Sequence, residues 1–481
     1  MTKETENRKR WMALIVLCLG VLMTVLDTTI VNVALPSIKS GLNFSETSLV
    51  WVINAYMLAF GGFLLLGGRL GDIYGHRKLF LIGITFFTLA SLACGLANSQ
   101  AILISARAVQ GLGGAIVSAV ALSLIMDLFK KPQERAKAMG VFGFVAAGGG
   151  TIGVLLGGVL TNSLDWHWIF LVNLPLGIAV FVLCLFLLPA RLTDSGKGHL
   201  DIWGSVTVTL SLMLAVYAIV NGNQAGWKSG QTITLLSVAA VLMAVFLFIE
   251  NKVRSPLMPL GLFKLRSVAT ANIVGVLWAA AMFAWFFLSA LYLQLVLGYT
   301  PMQVGLAFLP ANIIMASFSL GLSARIVMRF GIKKPIAIGM FLVALGLALF
   351  SFSPDNGTFV MNVMPGMTLL GLGAGMALNP VLLSAMSEVN PNESGIASGI
   401  VNTAFMMGGA LGLAVLASLA AARTSHLLAS GIKSVSALNG GYHAAFLVGA
   451  LFALAASITA ALFFPKEGKN TRKSNNVQQH Y

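Results

Sequence analysis

Apolar stretches long enough to cross a lipid bilayer recur from one end of the chain to the other. The first runs from Trp11 to Leu35 and contains a single charged residue, Asp27. At about 1.5 Å of rise per residue, a helix of this length crosses the hydrocarbon core of a bilayer. Hydrophobic residues make up 58% of the 481 residues and charged residues only 9%. This composition excludes a soluble surface and predicts an integral membrane protein.

Apolar runs bounded by charged residues, Gly, Pro or Asn predict fourteen membrane-spanning helices. Their approximate bounds are 11–35, 49–68, 79–98, 101–126, 137–161, 167–188, 202–221, 231–249, 268–297, 302–324, 335–353, 359–386, 396–422 and 442–464. We number these runs spans 1 to 14. An even number of spans places both termini on one side of the membrane.

The distribution of cations predicts which side that is. Of the 30 Lys and Arg residues, only Lys39, Lys228, Arg423 and Lys433 fall in loops on the side away from the termini, and Arg107 falls inside span 4. Cytoplasmic loops collect Lys and Arg, so both termini are predicted to be cytoplasmic. The net charge of +15 is therefore attributed to topology and to lipid headgroups, not to nucleic-acid binding.

Three segments recur in the same order, each eight spans later. The pairs are "QGLGGA" (110–115) with "LGLGAG" (370–375), "AMGVFGFVAAGGGTIG" (138–153) with "ASGIVNTAFMMGGALG" (397–412), and "GDIYGHRK" (71–78) with "VMRFGIKK" (327–334). Transporter folds are commonly built from such repeats. The pattern predicts an all-α polytopic protein with a 6+2+6 arrangement of spans. The predicted units are an N-terminal six-helix bundle (11–188), two linker helices with flanking loops (189–267), a C-terminal six-helix bundle (268–464) and a cytoplasmic tail (465–481).

Asp27 and Arg107 are charged residues inside predicted spans, about 12 Å and about 9 Å from the same membrane surface. Each charge costs a few kcal/mol in the membrane, so such residues usually face each other or an aqueous path. One interpretation is a structural ion pair between spans 1 and 4. The other is proton coupling, in which Asp27 gains and loses a proton as its pairing with Arg107 changes.

The loop between spans 2 and 3, "GGRLGDIYGHRK" (67–78), carries a specific pattern. It resembles the signature loop of the major facilitator superfamily, Gly-x-Leu-x-Asp-x-x-Gly-x-Arg-Lys. The resemblance implies the major facilitator fold and a conformational latch at this loop. The latch residues are Gly68, Asp72, Gly75, Arg77 and Lys78.

Two further segments resemble motifs of the same superfamily. "LISARAVQGLGGA" (103–115) places Arg107 and Gln110 where the family ties an arginine to proton transfer. "GGTIGVLLGG" (149–158) resembles the helix 5 motif of its antiporters, although Val154 stands where the family has proline. The matched glycines are Gly149, Gly153, Gly157 and Gly158. A groove for close helix packing explains these glycines equally well.

The number of spans, together with "LDTTIVNVALP", "WVINAYMLAFGG" and "DWHWIFLVNLPLG", resembles the fourteen-helix drug:proton antiporter branch, over residues 11–465. The candidate substrate-binding residues are an embedded acid, polar residues and aromatic residues of the spans, which suit lipophilic cations. They are Asp27, Asn32, Trp51, Asn54, Tyr56, Gln110, Trp285 and Asn312.

The expected function is proton-coupled export of amphipathic, typically cationic, compounds from a bacterium by alternating access in the plasma (inner) membrane. A dedicated exporter of one metabolite or natural product is the alternative, and a sensor that has lost transport is a third hypothesis. No enzymatic motif, metal site or phosphate-binding loop is evident in the sequence. We therefore expect no enzyme activity and no cofactor, with small molecules, protons and the lipid bilayer as partners of a monomer.

Overall fold

The computed structural model describes residues 3–188, 201–253, 256–318, 322–389 and 394–464, and these ranges are helical without β-strands. The helices are α1 (Lys3–Leu42), α2 (Trp51–Tyr74), α3 (His76–Gly95), α4 (Gln100–Leu128), α5 (Pro132–Ser163), α6 (Trp168–Leu171), α7 (Asn173–Leu187), α8 (Ile202–Ala225), α9 (Gly230–Lys252), α10 (Arg266–Leu291), α11 (Pro301–Ala307), α12 (Leu309–Ser317), α13 (Ser323–Phe330), α14 (Lys333–Phe350), α15 (Met364–Met386), α16 (Ser394–Ala429) and α17 (Ser434–Phe463). The predicted tail (465–481) and residues 189–200 of the predicted linker unit lie outside the described residues.

In the described part of the chain, thirteen helical stretches are long and apolar enough to cross a membrane. Residues Pro301–Ser317 form a shorter apolar stretch at span 10. It is divided at Phe308 into α11 and α12, because Pro310 near the start of α12 has no N–H to donate to the preceding turn. Span 6 is likewise divided at Val172, three residues before Pro175.

The packing of the helices follows the repeated segments. In the first half, α1 packs against α4, α5 and α7, while α4 packs against α2 and α3. In the second half, α10 packs against α16 and α17, while α15 packs against α12 and α14. Helices α8 and α9 pack on each other, and α8 also contacts α2 and α16. Linker helix α8 therefore lies along the line at which α2 and α16 meet, with α9 packed on α8.

Equivalent glycines make equivalent contacts in the two halves. A Cβ on Gly111 of α4 would overlap the backbone carbonyl of Tyr56, and a Cβ on Gly371 of α15 would lie 2.6 Å from the carbonyl oxygen of Ala311. The loops match as well, since α2 ends at Gly75 with φ +92° and α13 ends at Gly331 with φ +77°. Only glycine adopts such φ values without strain. The sequence repeat is therefore a structural repeat.

We call the end of the helix array at which α1 begins the N-terminal face, and the other end the opposite face. The two halves contact each other towards the opposite face: the Gln294 side chain donates to the carbonyl of Val33 at 2.9 Å. There Gly158 of α5 also approaches Met302 of α11, whose Cα would lie 3.2 Å from a Cβ at position 158.

Candidate functional site

The first half buries an ion pair. Asp27 on α1 and Arg107 on α4 form a salt bridge, and their exposed fractions are 0% and 1%. A buried charge that loses its partner is strongly destabilising, so each residue depends on the other. The sequence placed these two residues at similar depth and left open whether they face each other or an aqueous path; in the structure they face each other.

Two amide side chains complete the hydrogen bonding of the Asp27 carboxylate, and they share Ser91 as a second acceptor. Gln110 donates from Nε2 to Asp27 Oδ1 and to Ser91 Oγ, both at 2.7 Å. Asn173 donates from Nδ2 to the same two oxygens at 3.4 and 3.3 Å. Arg107 Nη1 also donates to Gln110 Oε1 at 2.7 Å. Four helices, α1, α3, α4 and α7, thus contribute to one hydrogen-bonded cluster around the carboxylate.

Arg107 is held on its other sides by α2 and α6. Its Nε donates to the carbonyl oxygen of Val52 at 2.8 Å. The guanidinium carbon lies 4.4 Å from the centroid of the Tyr56 ring and 5.7 Å from that of Phe170. A planar guanidinium can lie over an aromatic ring and at the same time donate from Nε and Nη1 in fixed directions. The arrangement therefore matches arginine better than lysine at this position.

Ser91 and Asn173 were not among the candidate residues. Ser91 lies on α3, and its exposed fraction is 0%. Asn173 begins α7, and its Oδ1 has no hydrogen-bond partner among the described residues. The available signal was a polar residue within an apolar run, in "FLVNLP" (170–175), of the same kind that singled out Asp27.

The remaining candidates of the first half lie around this cluster. The Tyr56 hydroxyl donates to the carbonyl of Thr24 at 3.5 Å, whereas the Asn32 side chain donates to Thr28 on its own helix. Asn54 donates to the carbonyl of Ala410 on α16 at 3.0 Å, so it joins the two halves. A separate candidate, Trp51, is half-buried, and its ring centroid lies 6.4 Å from that of Tyr217 on linker helix α8.

The two candidates of the second half are each connected to Phe308, one through its ring and the other through the helix backbone. The Trp285 ring centroid lies 5.6 Å from that of Phe308, which also stacks on Phe286. Asn312 follows Phe308 by one helical turn, and its backbone N–H donates to the Phe308 carbonyl. Trp285 Nε1 and Asn312 Nδ2 are buried donors without hydrogen-bond partners in the described ranges. Buried donors without partners are uncommon in proteins, which distinguishes these two from the other candidates.

The predicted latch contains a histidine that the sequence pattern did not assign. His76 is buried; its Nδ1 lies 2.8 Å from Asp127 at the end of α4, and its Nε2 lies 3.2 Å from Asp72. Arg77 donates to the carbonyl of Leu185 at 2.8 Å. The loop therefore connects α2, α3, α4 and α7 at the N-terminal face. Of the other latch residues, Lys78 is exposed and Gly68 faces Ala119 of α4.

The glycines of α5 lie against α1 and α11. A Cβ added at position 149 would lie 3.0 Å from Val25 Cγ1. A Cβ at position 153 would lie 3.0 Å from the Leu26 carbonyl oxygen, and one at position 157 would lie 2.6 Å from the Ile30 carbonyl oxygen. Gly158 faces Pro301 and Met302 instead. Helix α5 is continuous through Val154 from Pro132 to Ser163. The packing interpretation of Gly149, Gly153 and Gly157 thus has a direct geometric basis.

Comparison with known proteins places the chain in a family. The family model described as Major Facilitator Superfamily matches residues 17–413. The puromycin resistance protein pur8 of Streptomyces alboniger is 37% identical, over 93% of this chain and 90% of its own. The cephamycin export protein CmcT of Amycolatopsis lactamdurans is 37% identical, over 93% and 91%.

The multidrug resistance protein Stp of Mycobacterium tuberculosis is 38% identical, over 88% of this chain and 78% of its own. A crystal structure of a mutant of the nucleoside transporter NupG superposes with a TM-score of 0.65 at 13% identity, covering 94% of this chain and 100% of that one. This likeness concerns the fold alone. With its helical architecture and the match over most of its length, the chain belongs to the Major Facilitator Superfamily.

Proposed function

We propose that this protein is a proton-coupled exporter of small amphipathic, typically cationic, compounds that works by alternating access. The observation that carries the proposal is the buried Asp27–Arg107 pair with its shared partner Gln110. Charged residues inside membrane spans commonly mark proton relays and substrate paths. Relatives named for multidrug resistance, puromycin resistance and cephamycin export support efflux.

The contacts of Arg107 indicate how a proton would change the site. Protonated Asp27 is neutral and attracts the guanidinium less, while Gln110 Oε1 and the Val52 carbonyl continue to hold Arg107. With the site open to the cytoplasm, deprotonated Asp27 attracts the cation. After the site opens outward, protonation of Asp27 weakens this attraction and the compound leaves. The proton then passes inward and the cycle restarts.

The unpartnered donors of the second half supply a second contact for the substrate. Trp285 and Asn312 each carry a buried N–H group without a partner among the described residues, so in this proposal they donate to an oxygen acceptor of the substrate once the site opens. In this proposal the first half supplies the charge and the second half supplies aromatic surface and hydrogen bonds. Asn32 and Asn54 lie near the boundary of the halves and serve as secondary polar contacts.

The protein spans the membrane many times, and its cited relatives are bacterial. We place it in the bacterial plasma membrane as a monomer, with both termini in the cytoplasm because of the cation distribution. The N-terminal face is then cytoplasmic and the opposite face extracellular. The proton gradient drives transport without a cofactor. Six helices on each side of the two linker helices form the units that move.

The experiment is substrate-evoked proton movement in proteoliposomes with an imposed pH gradient. We expect lipophilic cations to collapse the gradient with the wild type and with Asp165→Asn, a matched control at an exposed loop carboxylate. We expect no collapse with Asp27→Asn. If Asp27→Asn behaves like the wild type, the coupling site is wrong; if no cation collapses the gradient with the wild type, the antiport proposal for cations is wrong.

A second candidate function is export of one natural product. Two of the relatives are each named for a single compound, puromycin in one and cephamycin in the other. A panel of structurally unrelated compounds distinguishes the two functions. Transport of a single compound would favour the dedicated exporter, whereas transport of several would favour the multidrug exporter.

A further inference from the structure

A cavity of about 270 Å³ lies at the opposite face, and no motif of the sequence pointed to it. Its walls come from the loop between α1 and α2, the end of α8, and helices α10, α16 and α17. The loop belongs to the first half and α10, α16 and α17 belong to the second. We call this cavity the outer vestibule. It is separate from the buried Asp27 cluster.

Glu46 is the one charged residue among those lining the vestibule. Its carboxylate forms an ion pair with Lys39 and accepts a hydrogen bond from the Tyr442 hydroxyl at 3.5 Å. Lys39 itself does not line the cavity. The Glu46 and Lys39 side chains are 32% and 27% exposed, so the pair is accessible to solvent and weak. A ligand cation inside the vestibule can therefore replace Lys39 as the partner of the carboxylate.

The rest of the lining is apolar at the bottom and polar at the rim. Phe287, Leu288 and Leu291 of α10 form the buried wall, each 1% exposed. Thr424 and Ser425 of α16 stand at the rim. Binding sites for small molecules combine such an apolar wall with a few polar groups that fix orientation. The lining therefore matches a small molecule with an apolar body and one positive charge.

Linker helix α8 completes the wall and is fixed there. Asn223 donates to the Ser418 carbonyl and hydroxyl oxygens of α16 at 2.7 and 3.0 Å, and the Ser418 hydroxyl donates to the Ile219 carbonyl at 3.1 Å. These bonds hold the neighbouring residue, Gln224, at the vestibule. Linker helix α8 thus contributes to a cavity and does more than connect the two halves.

We infer that the outer vestibule is a binding site for monovalent organic cations on the exit side, with Glu46 as the charge-recognising residue. The inference rests on the proposed export function, in which the opposite face is extracellular. A cation released from the buried site reaches a carboxylate that is accessible from outside. The vestibule then gives the exporter a second, weaker contact for the same class of compound.

A single reporter cysteine tests binding in this cavity alone. The native cysteines, Cys18, Cys94 and Cys184, are buried, so a maleimide should modify them slowly. Ser425→Cys places a thiol in the exposed rim of the vestibule, and Ser430→Cys places a control thiol on the same face outside it. The probe is benzyltrimethylammonium, and its uncharged carbon isostere, neopentylbenzene, is the control ligand. We expect the cation to slow labelling at position 425 and not at 430.

Charge variants then separate recognition from structure. In the Ser425→Cys background, we expect Glu46→Gln to raise the half-protecting concentration about fivefold, and Lys39→Gln to lower it, because that change frees the carboxylate. Asp165→Asn should have no effect. Equal weakening by Glu46→Gln and Lys39→Gln would show that the pair is only structural and overturn the inference. Equal protection of the thiol at position 425 by the cation and by neopentylbenzene would also overturn the inference. So would the absence of any protection by the cation, if the wild type transports cations in proteoliposomes. Both outcomes would leave the proposed function intact.

Discussion

At the residue scale, Arg107 is the centre of the site because it contacts three helices besides its own. It donates to Val52 on α2 and to Asp27 on α1, and it stacks near Phe170 on α6. The repeat places Met367 at the equivalent position of α15, where it is fully buried in apolar surroundings. The second half therefore builds the same helix packing without a charge. A buried ion pair is rarely needed for stability, so this asymmetry favours a functional role for Arg107.

This argument predicts the stability of two variants. Arg107→Met should lower the free energy of unfolding by about 3–5 kcal/mol, since it leaves the Asp27 carboxylate buried without its cation. Adding Asp27→Asn removes that charge and should restore most of the loss, while transport stays abolished in both variants. Denaturant unfolding in one detergent measures the difference. A double variant no more stable than Arg107→Met would contradict the coupling of the two residues.

At the element scale, close approach of helices at glycine positions is the main packing device of both halves. In a bilayer, helices associate through van der Waals contact between small residues. Gly111→Ala and Gly371→Ala should both destabilise the fold, since each Cβ meets the backbone of a neighbouring helix, at Tyr56 or at Ala311. Gly140→Ala is the matched control, because its Cβ meets nothing within 4 Å. Thermal unfolding measures the three variants. A midpoint temperature for Gly140→Ala that falls as far as those of Gly111→Ala and Gly371→Ala would contradict this explanation.

The loop between α2 and α3 gives a second prediction at this scale. His76 lies between the carboxylates of Asp72 and Asp127. His76→Ala leaves these two anions near each other without the imidazole, so we expect a several-fold slower transport rate at unchanged substrate affinity. His76→Ala with Asp127→Asn should recover part of the rate. Initial transport rates in proteoliposomes measure both effects. An unchanged rate for His76→Ala alone would show that His76 has no role in the latch.

The elements were predictable from the sequence to different degrees. Hydropathy located the spans because a bilayer requires long, internally hydrogen-bonded apolar helices. The matching depths of Asp27 and Arg107 were predictable and permit their contact, but the contact itself depends on the rotation of α1 and α4. The contributions of Ser91 and Asn173 did not follow, because a single polar residue on an apolar helix acquires meaning only once the rotation of that helix is known. The break at Phe308 also depends on tertiary packing, since many membrane helices continue through proline.

At the scale of the whole molecule, the contacts between the halves determine which face is closed. Towards the opposite face, Gly305 of α11 lies against α5, and a Cβ there would be 3.6 Å from the Leu155 Cα. Gln294 and Val33 join α1 to the end of α10 near the same face. Alternating access requires these contacts to separate in each cycle. In the proposed export cycle, the closed opposite face is therefore one state of the transporter, and its opening is required for release of the substrate.

The separation of α5 from α11 can be tested directly by a cross-link. The pair Leu155→Cys and Gly305→Cys has the proximity that a disulfide requires. We expect oxidation to join the two thiols and arrest transport in proteoliposomes, and reduction to restore it. Each single variant is the control, and its rate should be the same under oxidation and under reduction. Full transport with the disulfide formed would show that the halves do not part at α5 and α11, which would contradict alternating access through the opposite face.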